Sequence, residues 1–153
     1  MRISELCNLK DYDLDLNERT VKIFGKGAKE RLLYIGNDAV IEILKKYKKL
    51  YRNKGDDIPY FFLNKYNRKM SEQSIRILLN NLEKDLEIST HITPHMFRHT
   101  FATMLLDNDV DIRYIQKILG HSSISITQIY THVSTAKQKE ILSLKNPRND
   151  IGL

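Results

Sequence analysis

His95 and Arg98 are the first pair in this sequence whose types and spacing suit a chemical task. In the run HMFRHT at 95–100 they stand at i and i+3, so a helix sets them on one face within reach of one phosphate. A guanidinium fits that partner, because its planar, paired N–H donors match phosphate oxygens. Downstream, LGHSSISITQIYTHV at 119–133 carries His121 and, nine residues later, Tyr130. A free phenol has a pKa of ~10, so a nucleophilic Tyr130 needs a proton acceptor or a strong positive field beside it. Arg2 opens the segment RISEL, and Lys26 lies in the glycine loop GKGAKE, which repeats its lysine at Lys29.

Each residue taken singly has a plainer reading. A lone His-x-x-Arg is more often a surface or capping pair than a site, and a lone tyrosine is more often half-buried packing. The loop around Lys26 is not a nucleotide-binding motif, since G-x-x-x-x-G-K-[ST] is missing. His95 and His99 have metal-ligand spacing, but the glutamate of H-E-x-x-H is absent and Arg98 puts a fixed positive charge between them. No metal or other cofactor is expected. His91, His99 and His132 read as caps or packing. Cys7 reads as a small buried hydrophobe. The run KKYKKLYRNK at 45–54 reads as a solvated helix face.

The elements that must carry these residues follow from periodicity. Residues 2–9 form a short helix with Ile3, Leu6 and Cys7 on one face. TVKIF at 20–24 and RLLYI at 31–35 are strands joined by the glycine loop, a hairpin to which YDLDL at 12–16 adds a third strand. Residues 38–52 are an amphipathic helix with Ile41, Leu44, Tyr47 and Tyr51 inward. Gly55 and Pro59 break the chain before the short buried segment YFFL at 60–63. Ser71 caps a helix with Ile75, Leu78, Leu79 and Leu82 as apolar residues. Thr93 and Pro94 start the helix of His95 and Arg98 as N-cap and first turn. A helix over 111–119 ends at Gly120, a serine-capped helix carries Tyr130, and a last helix covers about 134–145. The fold class is mainly α (α+β), a helical domain with a small three-stranded antiparallel sheet near its N-terminus.

Bulk properties narrow the function classes. A chain of 153 residues fits one domain. One cysteine permits no internal disulfide. No apolar run approaches the ~18 residues that span a membrane, and MRISEL has no signal-peptide core, so a cytoplasmic protein is expected. With 25 Lys+Arg against 19 Asp+Glu and a pI near 9.3, nucleic acid is the partner class that the charge favours.

In combination and order, RISEL at 2–6, GKGAKER at 25–31, His95-x-x-Arg98, Leu119-Gly120-His121 and Tyr130 resemble the tyrosine recombinase (phage integrase) family, in its bacterial Xer-like branch. The resemblance covers nearly the whole chain. It implies site-specific recombination or integration of double-stranded DNA by cleavage and rejoining through a 3′-phosphotyrosyl intermediate. The implied catalytic residues are Arg2, Lys26, His95, Arg98, His121 and Tyr130. Tyr130 is the nucleophile and His95 its assistant. Arg2, Arg98 and His121 neutralise the five-coordinate phosphorus, and Lys26 protonates the departing 5′-oxygen. The family places its lysine directly after the glycine that ends the second strand, which selects Lys26 over Lys29. Glu5, one turn after Arg2, supports the site without reacting. The bond energy stays in the phosphotyrosine, so neither metal nor ATP is needed.

The family's first arginine is usually preceded by Thr-Gly and by further helices. Residues 1–153 therefore read as a single catalytic domain incomplete at its N-terminus, with the core-binding domain absent. The implied partners are duplex DNA and other protomers, four in the active synapse, engaged through residues 134–145; the competing reading folds that helix back on its own domain. A rival function is a non-catalytic DNA-binding module, since residues 112–130 imitate a helix-turn-helix, or an inactive remnant of a recombinase. A repressor has no need of Arg2, Lys26, His95 and Arg98, and would begin its second helix with base-reading residues rather than Ser and Ile.

Overall fold

The computed structural model describes residues 1–25, 30–51, 58–120 and 142–146. In chain order the elements are α1 (Ile3–Asn8), a 3-10 turn (Asp11–Asp13), β1 (Leu14–Asp15), β2 (Thr20–Phe24), β3 (Glu30–Tyr34), α2 (Asp38–Tyr51), α3 (Glu72–Asp85), α4 (Pro94–Asp107) and α5 (Ile112–Leu119). The three strands pair antiparallel in the order β1-β2-β3. The architecture is the expected mainly helical domain with a small sheet near the N-terminus.

The sheet obeys the two-residue period. Val21 and Ile23 are buried while Lys22 and Phe24 face out. Register pairs Val21 with Leu33 and Ile23 with Arg31, which puts Arg31 on the inner face, in phase with the apolar residues. That face closes on Leu9, Leu14 and Phe61, bordered by Leu44 and Tyr47 of α2. Tyr47 lies 5.5 Å, ring centre to ring centre, from both Phe61 and Phe62. Its hydroxyl accepts the Leu63 N–H at 2.9 Å, so the buried YFFL segment is held by packing and by a satisfied polar group.

A second, smaller core joins α4 to α5. Leu105, Val110, Ile115 and Leu119 are buried there, against Phe101, Ala102 and Tyr114. By contrast α3 has no buried residue, and Leu78 and Leu82, expected as apolar positions of that helix, are exposed. No helix among the described residues is long and apolar enough to cross a membrane.

Two elements differ from expectation for local reasons. YDLDL was expected as a strand over 12–16, but only Leu14–Asp15 pairs. The Asp13 carboxylate accepts the Lys10 N–H at 3.0 Å and so holds a turn in competition with the ladder. Asp15 then accepts the N–H groups of Asn17 and Glu18, both at 2.9 Å, and bends the chain into β2. α5 begins one residue later than expected because Asp111 is its cap, accepting the Arg113 N–H at 2.9 Å.

Of the expected helix over 134–145, residues 134–141 lie outside the described residues, and residues 142–145 rest on their own chain. Leu142 is buried. A Cβ placed on Gly36 would stand 1.9 Å from the Leu142 carbonyl oxygen, so only glycine admits this contact. The Lys145 ammonium donates to the Asn108 carbonyl at the end of α4.

Candidate active site

Two helix ends build the site. Thr93 accepts the Met96 N–H at 3.3 Å and Pro94 occupies the first turn, which fixes where α4 starts. One and two turns in, α4 presents His95, exposed, and Arg98, largely covered. α5 ends at Gly120, whose φ of 67° and ψ of 47° are left-handed. The last carbonyls of α5, left without helical partners, face three arginines drawn from three different elements.

Arg98 of α4 donates through Nη2 to the Leu119 carbonyl at 2.7 Å. Arg2, the N-cap of α1, donates through Nη2 to the Gly120 carbonyl at 3.1 Å. Arg31 of β3 donates through Nε to the Ile118 carbonyl at 3.1 Å. Cations at a helix C-terminus complement its partial negative charge. Gly120 is required here twice over. A Cβ at that position would be 2.7 Å from Arg31 Nη1, and the positive φ already disfavours any side chain.

One carboxylate serves the cluster. Glu5 accepts from Arg31 Nη1 at 3.0 Å and Nη2 at 2.7 Å, from Arg2 Nη1 at 3.1 Å, and from the Arg2 backbone N–H at 2.6 Å. Burial of Glu5 opposes its ionisation, but the hydrogen bonds from Arg31 and Arg2 outweigh it and bring its pKa down to about 2. The sequence reading of Glu5 as a support for the site agrees with these contacts.

Among the described residues, three guanidiniums against one carboxylate leave two positive charges in excess. The field is strong enough to register on neighbours. Burial first, and then Arg2 and Arg31, lower the pKa of Arg98. Burial, and then Arg98, lower that of the Met1 amine to about 6. Arg98 Nη1 is buried and has no hydrogen-bond partner among the described residues. A buried, unpartnered donor of a charged group is costly, by about 1–3 kcal/mol or more, and native structures rarely carry one without a use for it. Chemically the arrangement can hold an anion.

Of the six residues that the sequence singled out, the structure draws Arg2 and Arg98 to adjacent carbonyls of one helix end. His95 stands one turn before Arg98 on the same helix, exposed to solvent. His121 directly follows Gly120 in sequence; it, Lys26 and Tyr130 lie outside the described residues. Sequence reasoning missed Arg31. A signal existed, for Arg31 alternates in phase with Leu33 and Ile35, so the strand period already turned it inward.

The family model described as the phage integrase family matches residues 1–137. A tyrosine recombinase of Agathobacter rectalis is 55% identical over 150 residues, covering 98% of this chain and 49% of that protein. Among solved structures, XerA recombinase superposes with a TM-score of 0.74 at 36% identity, over 96% of this chain and 54% of that one. XerH site-specific recombinase, bound to a palindromic difH substrate in a post-cleavage complex, gives a TM-score of 0.66 at 27% identity, over 94% of this chain and 42% of that one. The chain thus spans about half the length of the curated relatives it matches.

Proposed function

This chain belongs to the phage integrase family, and from that premise we propose that residues 1–153 are the catalytic domain of a tyrosine recombinase, which cleaves and rejoins duplex DNA in site-specific recombination. The observation that carries the reading is the unpartnered Nη1 of Arg98 within a cluster holding two positive charges in excess. A scissile phosphodiester supplies the charge and the acceptor oxygens that this cluster lacks. Its transition state supplies more, because negative charge builds at a five-coordinate phosphorus, and preset donors stabilise that state without reorganising.

The chemistry follows in two steps. The Tyr130 oxygen attacks phosphorus while its proton passes to His95, and a phosphotyrosine bond forms. The bond to the 5′-oxygen breaks, and Lys26 gives that oxygen its proton. Arg2, Arg98 and His121 hold the equatorial oxygens. Attack of a 5′-hydroxyl on the phosphotyrosine reverses the sequence and reseals a strand, so the reaction conserves its bond energy and calls for no metal or nucleotide. The partners in this reading are duplex DNA and further protomers on it. The likeness to XerH recombinase, solved in a post-cleavage complex with its difH substrate, supports the DNA partner.

The test is a nicked suicide DNA substrate followed by a denaturing gel. Wild-type protein should give a covalent adduct that is unaffected by EDTA. Tyr130→Phe should give none while duplex binding stays within about twofold, since only the attacking oxygen is lost. Arg98→Ala should lower the rate of adduct formation by about 100-fold or more, the range for loss of one donor to a developing anion. An adduct with Tyr130→Phe, or none with wild type, sinks the reading.

A further inference from the structure

Arg31 belongs to none of the roles above, yet it is the most fully engaged guanidinium of the cluster. Its three nitrogens all have partners: Nε on the Ile118 carbonyl at 3.1 Å, Nη1 and Nη2 on the two Glu5 oxygens at 3.0 and 2.7 Å. Its side chain is 13% exposed, whereas that of Arg2 is 38% exposed. Arg31 thus spends three of its five N–H donors on the protein and is the more covered of the pair it forms with Arg2, whereas Arg2 is open to solvent and Arg98 keeps Nη1 without a partner among the described residues.

We propose that Arg31 is a positioning residue for the arginines that meet the phosphate, acting through Glu5 and the last turn of α5. The inference rests on the function proposed above. Arg31 and Arg2 share both their partners, the Glu5 carboxylate and the end of α5. Arg31 holds both Glu5 oxygens in the paired, fork-to-fork geometry, so the Arg2 guanidinium reaches Glu5 by a single nitrogen, Nη1 on Oε1, while the Arg2 backbone N–H lies on Oε2. Arg2 is thereby kept at the outer edge of the cluster, with its other terminal nitrogen on the Gly120 carbonyl. Remove Arg31 and a buried carboxylate is left with one guanidinium. The two then pair face to face, Arg2 turns inward, and α5 loses one of the three side chains that fix its C-terminal carbonyls, among them the partner of Arg98. The β-strand supplies the rigidity: Arg31 sits opposite Ile23, whose side chain is packed in the sheet core.

The experiment compares Arg31→Met, Arg31→Lys, Glu5→Gln and the double variant Arg31→Met/Glu5→Gln, each checked for folding by circular dichroism. Arg31→Met should slow adduct formation by about 10–100-fold, the usual effect of losing a partner that orients a reacting group, while duplex affinity changes by less than about threefold. Arg31→Lys should recover part of the rate. The double variant should be no slower than Arg31→Met, because both changes break one connection; it also keeps the test open if an uncompensated Glu5 unfolds the single variant. Independently of activity, nitrogen NMR of the Arg2 guanidinium should show shifted signals and more restricted rotation in Arg31→Met than in wild type, as Arg2 pairs with Glu5 through two nitrogens. A wild-type rate in Arg31→Met, additive losses in the double variant, or an unchanged Arg2 signal overturns the proposal. If wild-type protein forms no adduct, the proposed function fails, and the Arg2 signal still decides the role of Arg31.

Discussion

The sheet core and the α4–α5 core are assembled differently, and the candidate site lies where they meet. Around Phe61 the chain uses aromatic and branched side chains from α2, the sheet and the 60–63 segment, closed on every side. Around Leu105 two adjacent helices and the loop between them bury four residues with a few neighbours. Between the two runs a polar seam, where Arg2, Arg31 and Arg98 reach the carbonyls of residues 118–120 and Arg2 and Arg31 share Glu5. Apolar contacts would hold two cores together more cheaply, since buried ion pairs seldom outperform hydrophobic packing. On the proposed function the seam is polar because a phosphate is to fit there; the charge of the arginines is offset in part by helix-end carbonyls and by Glu5.

Three measurements would break or sharpen that contrast. The largest effect belongs to the sheet core: Phe61→Ala should destabilise by about 3–5 kcal/mol in urea unfolding, the range for a fully buried ring. Leu105→Ala, also fully buried, should cost about 2–5 kcal/mol. If its loss spares the unfolding of the sheet core, the two cores are separable units; a single shared transition shows that the seam transmits stability between them.

A smaller effect is expected within the seam. Gly120→Ala should cost about 1–2 kcal/mol for the left-handed backbone, and it should displace Arg31 as well, since the new Cβ meets that guanidinium. Adduct formation should therefore fall more than stability does. Equal losses would mean that Gly120 is only a helix stop.

The last measurement concerns pH. Glu5 has its folded-state pKa lowered from 4.5 to about 2. A lowered carboxyl pKa contributes stability that is complete above the unfolded value and is lost as pH falls through the folded one. Melting temperature should thus decline between pH 4.5 and about 2, and Glu5→Gln should flatten that limb while lowering stability near neutrality. A limb of unchanged steepness in Glu5→Gln would assign the acid loss to other carboxylates.

Much was legible in the sequence because it depends on near neighbours. Thr93-Pro94 fixed the start of α4, Ser71 the start of α3 and Gly120 the end of α5, each by satisfying groups within one turn. Strand alternation in TVKIF named Val21 and Ile23 as core. The pairing of His95 with Arg98 on one helix face is local in the same way. Where a short-range competitor went unrecognised, at Asp13 and Asp111, element boundaries moved by one or two residues.

The convergence of Arg2, Arg31 and Arg98 on one helix end is of another kind, because those residues are far apart in sequence and only packing brings their elements together. Periodicity turned Arg31 inward but could not say what it would meet. Nor could it say that Glu5, on a helix of six residues, would be the one carboxylate shared by two of the three. The same holds for residues 142–146, where an apolar pattern allowed docking on a neighbour or on the chain itself and only packing shows Leu142 against Gly36 of its own chain. Sequence determines which residues share a helix face or a strand face, because backbone geometry repeats. Tertiary structure alone decides which faces meet, and with them where charge is left unpaired.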